Sequence, residues 1–152
     1  MKIVVAVVGK ARHATLAPVV RDYEARAARY WPVEVREVRD EASASPAEAR
    51  KREGVRLLAA VPEGAHLVAC DERGKAMTSA QFSGWLQRLR EGAGDVCFAI
   101  GGAHGLSDEV RAAARTTLAL APWTLPHELA RAVLAEQLYR AGTIVRREPY
   151  HK

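Results

Sequence analysis

An α/β domain, with a mostly parallel sheet and helices on both faces, is the fold this sequence predicts, and three observations predict it. Short apolar runs rich in β-branched residues alternate with segments whose apolar residues recur at helical spacing. Two of the runs, "IVVAVV" and "VCFAI", are apolar throughout, as in strands covered on both faces. The 152 residues contain no linker, repeat or low-complexity tract, so residues 1–152 read as a single domain.

Each element follows from local chemistry. "KIVVAVVG" is a buried strand closed by Gly9. From Leu16, the residues Val19, Val20, Tyr23, Ala27 and Tyr30 repeat at helical spacing until Pro32 stops the helix. "VEVREV" alternates as a half-exposed strand, and Pro46 starts a second helix with Gly54 as a weak point inside it. "HLVACD" is the third strand, with a turn expected at Gly74. Thr78 or Ser79 caps a helix that carries Phe82, Trp85, Leu86 and Leu89, and "EGAGD" ends it. "VCFAI" runs into "GGAHG", Ser107 caps a short helix, and "LALA" makes a fifth strand. Thr124 and Pro126 open the last helix, with Leu129, Val133, Leu134, Leu138 and Ala141 on its apolar side and Gly142 expected just past its end.

The formal charge of +5 and pI near 9.6 favour a polyanionic partner. The opening apolar run stops at Gly9 and Lys10 with no cleavage region behind it, which argues against a signal peptide. No stretch approaches the roughly 20 apolar residues that cross a bilayer. Cys70 and Cys97 both lie in strand-like runs and read as reduced core residues. The expectation is a cytoplasmic protein.

Ligands of parallel sheets bind outside the carboxyl ends of the strands, which selects the loops after "VACD", "FAI" and "LALA". Gly101, Gly102 and Gly105 allow close approach of a backbone to a ligand, but their spacing matches neither the dinucleotide fingerprint nor a P-loop. His104 between them reads as a solvated turn residue. Pro122 and Pro126 stiffen the next loop, so it loses little freedom on holding an adenine ring by backbone hydrogen bonds. Trp123 offers that loop a flat apolar surface, although Trp123 and Leu125 are expected to seal the core. The last helix carries Arg131, Glu136, Gln137, Tyr139 and Arg140, and Glu136 and Arg140 are spaced to pair. No cluster of His, Cys and carboxylates has metal-site spacing, so no metal is expected.

"FAIGGAHGLS", taken together with "TLPHELARAVLAEQLYRAGTIVRREPYHK", resembles the RlmH family of small ribosomal RNA large-subunit methyltransferases. Length, short apolar amino terminus and terminal Tyr-His-Lys agree, so the resemblance covers essentially the whole chain. It implies a SPOUT-type fold with a carboxy-terminal trefoil knot, where strand–helix alternation alone leads to an unknotted open sheet. It also implies a homodimer that binds S-adenosylmethionine in the knot. The implied acceptor is N3 of a pseudouridine in 23S rRNA, in the subunit-interface stem-loop of the assembled ribosome.

Carried across one position at a time, the family's cofactor contacts fall on Cys70, Gly101 and Gly102, and on Leu120, Ala121, Pro122, Trp123, Thr124 and Leu125. Cys70 stands where the family usually has leucine, and Ala121–Trp123 replaces a more usual serine-containing segment. Backbone contacts survive that second change and a side-chain hydroxyl contact does not. The N3–H of the acceptor is a poor nucleophile until its proton is removed or strongly polarised. His151 is the candidate base, Tyr150 a candidate for stacking or hydrogen bonding, and Arg140 a candidate for stabilising anionic oxygens. In a dimer the tail of one subunit completes the cofactor pocket of the other. Lys10, Arg12, Arg146 and Arg147 are the candidate phosphate contacts. Two other functions fit the same residues: a knotted methyltransferase acting on transfer RNA, and a basic ribosome-binding protein without catalysis.

Overall fold

Ile3–Val8 forms β1, and every one of its residues is buried, as a run without polar alternation requires. The computed structural model describes residues 1–42 and 45–152. After β1 come α1 (Leu16–Ala27), β2 (Val33–Val38), α2 (Pro46–Ala59), β3 (His66–Ala76), α3 (Ser79–Glu91), β4 (Val96–Ile100), α4 (Asp108–Ala113), β5 (Thr116–Ala119) and α5 (His127–Val145). The five strands make one sheet in the order β2-β1-β4-β3-β5, and all neighbours are parallel.

Successive strand residues face opposite ways and build two cores. Ile3, Val5, Val7, Phe98 and Ile100 pack against Phe82 and Leu86 of α3 and Leu134 and Leu138 of α5, with Ala27 and Trp31 beside them. Val4, Ala6, Val8, Cys97 and Ala99 pack against Leu57 of α2 and Val110 of α4. Helices therefore cover both faces, as expected. Trp31 anchors the first layer by donating its indole N–H to the Leu138 carbonyl oxygen at 2.9 Å. Thr78, not Ser79, caps α3, in a reciprocal capping box with Gln81.

Several boundaries differ from the sequence reading for identifiable reasons. α1 ends at Ala27, and Tyr30 lies in the turn beyond it. Strand β3 does not turn at Gly74 but runs on to Ala76. Both Cys70 and Lys75 face Leu118 of β5, so Asp71–Gly74 is a four-residue excursion within one strand. Gly74 belongs there because a Cβ would lie 2.6 Å from the Thr117 carbonyl carbon. The fifth strand is Thr116–Ala119, which leaves Leu120 and Ala121 in the following loop.

Gly142 does not follow α5 but lies inside it, where Tyr30 occupies the space of a side chain. An alanine Cβ at that position would sit 2.4 Å from Tyr30 Cγ and 2.5 Å from its Cβ, a clash at the rigid root of the ring. Gly142→Ala is therefore expected to destabilise the protein by about 1–3 kcal/mol, despite alanine's better helix propensity. Urea denaturation checks this; a more stable variant would remove the close contact from the account.

Candidate active site

β4, β3 and β5 lie side by side, so the three loops selected from the sequence leave the sheet from adjacent strands. β4 feeds α4 on one face, while β3 and β5 feed α3 and α5 on the other. A crevice opens where neighbouring connections diverge in this way. The cleft there encloses about 430 Å³. Cys70, Asp71 and Glu72 form one wall, and Ile100 and Gly101 form the back. Leu120, Ala121, Trp123 and Leu125 come from the loop after β5, and His127 and Ala130 from the start of α5. Six of the nine expected cofactor residues thus line one cavity. Gly102, Pro122 and Thr124 stand outside this lining.

Backbone proximity explains the glycines. A Cβ on Gly101 would lie 2.6 Å from the carbonyl carbon of Gly105, so the loop folds back on itself and only glycine fits. Gly105 has φ +81° and donates its N–H to the Gly102 carbonyl oxygen at 3.1 Å. Gly102 itself rests against the buried Glu53 carboxylate of α2. His104, at the tip, is exposed as expected. Trp123 is not a core residue: it is 78% exposed at the mouth of the cleft, while Leu125 does pack against the core. The prolines on either side of the Trp123–Leu125 segment hold it over the cleft, away from the sheet.

The two walls differ in electrostatics. Burial opposes charge on Asp71, but hydrogen bonds from Arg73 at 2.9–3.2 Å and Arg111 at 2.8 Å outweigh it and hold the carboxyl far below its usual range. Asp71 is therefore a fixed anion that ties the excursion to α4. Desolvation, with Cys97 nearby, pushes the Cys70 thiol up to about 12. Cys70 then stays protonated at neutral pH and meets a ligand as a small apolar surface. We expect it to resist iodoacetamide at pH 8 in the native protein and to react readily once unfolded, which mass spectrometry of the alkylated peptide checks.

Arg140, Tyr150 and His151 are brought together, on the far half of α5. Glu136 is the hub: its Oε1 accepts from Arg140 at 2.6 and 2.9 Å and from the Tyr150 hydroxyl at 3.0 Å. The Arg140 guanidinium lies 4.7 Å from the Tyr150 ring centroid, and its Nη1 lies 3.5 Å from His151 Nδ1. Burial, together with hydrogen bonds to Tyr23 and Glu136, raises the Tyr150 phenol well above 10, so Tyr150 is a donor at working pH. Tyr139 packs on Tyr150 at 4.5 Å, and Glu148 accepts from the Tyr30 hydroxyl. The tail is docked, and Arg147 takes φ +58° to dock it. Along α5, Arg140 lies about 15 Å beyond the cleft residue Ala130. Within one chain, then, the expected cofactor residues and the expected catalytic residues form two separate clusters.

The expected phosphate contacts also divide. Lys10 and Arg12 sit beside the start of α5, where Glu128 accepts from the Arg12 and His13 N–H groups at 2.6 and 3.2 Å. The Arg12 N–H, with that of His13, holds the Glu128 carboxyl below its usual range against desolvation. Arg146 and Arg147 follow the other end of the helix, about 28 Å away, and the Arg146 guanidinium lies over the Tyr30 ring. The sequence reading missed Asp71, Glu72, Ile100, His127 and Ala130 as cleft residues, and Glu136 as the hub of the tail. The strand-end rule contained the signal for Asp71, which directly follows "VAC". Among the described residues no helix is long and apolar enough to cross a membrane, and no three His, Cys, Asp or Glu side chains converge as a metal site would need.

Residues 1–151 match the family model described as "Predicted SPOUT methyltransferase". The chain is 57% identical over 154 residues to a ribosomal RNA large subunit methyltransferase H from Gemmatimonas aurantiaca, covering 100% of both chains. It is 43% identical to the protein of the same name from Trichlorobacter lovleyi, covering 99% of each. Among solved structures, it superposes on a probable methylase family protein from Haemophilus influenzae with a TM-score of 0.56 at 11% identity, covering 99% of this chain and 70% of that one. A probable methyltransferase from Bordetella pertussis gives 0.53 at 16% identity, covering 92% and 95%. At such low identity these two likenesses speak for the fold alone.

Proposed function

This chain belongs to the SPOUT methyltransferase family, and from that premise we propose that it methylates ribosomal RNA of the large subunit, with S-adenosylmethionine as donor and N3 of a pseudouridine as acceptor. The observation that carries this reading is the convergence of three strand-end loops on one cleft, beside a docked tail built from Arg140, Tyr150 and His151. The cleft fits the donor. It is concave at the strand ends, and Ile100, Leu120, Leu125 and Ala130 give an apolar floor for an adenine ring. The exposed Glu72 at the rim suits a cationic ligand. Bound there, S-adenosylmethionine supplies an electrophilic methyl group on a sulfonium.

The residues of this chain do the rest. Backbone groups of Leu120–Leu125 orient the donor, and the Gly101 turn lets the chain approach it closely. Arg140 keeps its charge, because Glu136 holds it, and stabilises the anion that develops as N3 loses its proton. Tyr150 donates to or stacks on the base, and His151, exposed beside the guanidinium, is placed to take the proton. Because these groups lie well away from the cleft of their own chain, the reading requires a homodimer whose partner supplies the tail. The threaded terminus belongs to the same reading. Its support is the family membership alone. No spanning helix among the described residues fits a cytoplasmic enzyme of ribosomes.

The test is transfer of labelled methyl from S-adenosylmethionine to ribosomes lacking the modification, with transfer RNA as the competing substrate. Methylated pseudouridine in large-subunit RNA upholds the reading. Transfer to transfer RNA alone would redirect it to another acceptor, and failure to bind the donor in calorimetry would leave a non-catalytic binding protein.

A further inference from the structure

Behind the Asp71–Gly74 excursion, on the side away from the cleft, lies a second concavity that the chemistry above does not use. α2 packs in the layer that covers the other face of the sheet, and its first turns bring Arg50 and Lys51 to the loop after β4 and the start of α4. The open groove between them encloses about 770 Å³ and is bordered by Arg50, Lys51, Arg73, His104 and Arg111. Three separate parts of the chain contribute those cations, so their convergence is not the periodic charge of one solvated helix face.

The charges in the groove are unequally committed. Arg73 and Arg111 share Asp71, and Arg111 also reaches Asp108 at 3.1 Å. Arg73 remains 64% exposed despite its ion pair and presents its outer edge to the groove. Arg50 and Lys51 have no carboxylate within ion-pair distance among the described residues, whereas their neighbour Arg52 lies 3.6 Å from Glu41. Among the described residues, the carboxylates bordering the groove itself, Asp108 and Glu109, stand together on the α4 side. An anion is therefore drawn to the α2 side and repelled from the α4 side, which gives the groove a direction.

Groove and cleft share a wall one residue thick. Glu72 lines the cleft and Arg73, the next residue, lines the groove. A polymer that presents a base to the cleft mouth brings its adjoining backbone close to Arg73. We propose that this groove is a phosphodiester-binding subsite for the RNA strand whose base meets the donor at the mouth of the cleft, with Arg50 and Lys51 gripping phosphate and Arg73 bridging the two sites. Asp71 and Arg111 position Arg73 by fixing the excursion. The proposal rests on reading the cleft as an RNA methyltransferase site, and it locates the strand elsewhere than Lys10, Arg12, Arg146 and Arg147 alone would.

The experiment compares Arg50→Gln/Lys51→Gln with Arg88→Gln/Arg115→Gln, which removes equal charge from exposed positions beside the amino end of β4. Methyl transfer to unmodified ribosomes is measured across a salt series, together with binding of a labelled stem-loop oligonucleotide of large-subunit RNA. The α2 pair is expected to raise KM about tenfold at physiological salt with kcat and donor affinity unchanged, and to flatten the log–log salt dependence by about 1.4, or 0.7 for each lost single-strand phosphate contact. Lys51→Gln alone, at a fully exposed position, gives about half that change in slope and guards against misfolding of the pair. Wild-type KM and slope in the α2 pair overturn the proposal, and so does an equal effect from the Arg88/Arg115 pair. Should the wild type fail to methylate ribosomes, the reading of the cleft falls. Oligonucleotide binding then decides the groove: weaker, less salt-dependent binding by the α2 pair upholds it, and unchanged binding overturns it.

Discussion

A chain ending at Glu148 is expected to bind S-adenosylmethionine as tightly as the full-length protein but to methylate ribosomes at least about a hundredfold more slowly, since a positioned proton-transfer group contributes about 10²–10⁴. Pro149–Lys152 carry the Tyr150 donor and His151, and their loss leaves Arg140 with only Glu136. Folding is expected to survive, because the Glu148 contact with Tyr30 and the backbone bond from Glu148 to Thr143 both remain. Calorimetry for donor binding and radiolabel transfer for activity separate the two properties. Full activity in the shortened chain would remove the tail from the chemistry. A complementation assay sharpens the result. Shortened chains, mixed with chains whose cleft is blocked at Gly101, form heterodimers with one intact cleft facing one intact tail. Random pairing should then restore about a quarter of the wild-type rate if the site is shared across a two-fold axis. No recovery from well-mixed heterodimers would mean that each chain works alone.

Glu24→Gln is expected to lower stability by about 3 kcal/mol. Its carboxylate accepts from Arg131 Nε at 2.6 Å and Nη2 at 3.2 Å, and the Arg131 side chain is only 6% exposed. Arg131 Nη1 already lacks a hydrogen-bond partner, with Glu37 3.6 Å away. Removing Glu24 leaves a buried guanidinium with one distant carboxylate, which costs far more than the intact pair contributes. The companion variant Glu24→Leu/Arg131→Met should recover most of the loss, because apolar residues of similar volume replace a buried pair at little cost. Chemical denaturation of both variants checks this. Equal destabilisation would mean that the pair is needed for its charge. Function should suffer as well, because this ion pair fixes the angle at which α5 crosses α1.

The fold was legible because its signals are local and redundant. β1 and β4 are apolar at every position, and Pro46, Thr78 and Ser107 each mark a helix start by a chemistry that short-range sequence reveals. The cleft was legible for a different reason: the strand-end rule needs only element order, and it selected three loops that proved adjacent. Failures came where a distant residue decided the local structure. Nothing near Gly142 says that Tyr30, more than a hundred positions earlier, fills the place of its side chain. Gly74 looks like any turn glycine until Thr117 crosses it. From the residues alone Trp123 reads as a core residue, and only the family resemblance sets it among the cofactor contacts; the structure leaves it exposed at the cleft. Glu136 was read as half of a helical ion pair, which it is, but its second partner comes from a tail fourteen residues on.

One helix, α5, carries cleft residues in its first turn and the proposed acceptor group Arg140 three turns later, and it is pinned to α1 between them by Arg131. That arrangement makes its length a ruler. Inserting one residue after Arg131 would advance everything beyond it by about 1.5 Å and swing it by about 100°. Glu148 would then miss Tyr30, and the tail would leave its docked position. Loops around the sheet can change in length without turning the tail, whereas the spacing from Arg131 to Arg140 cannot change without turning it.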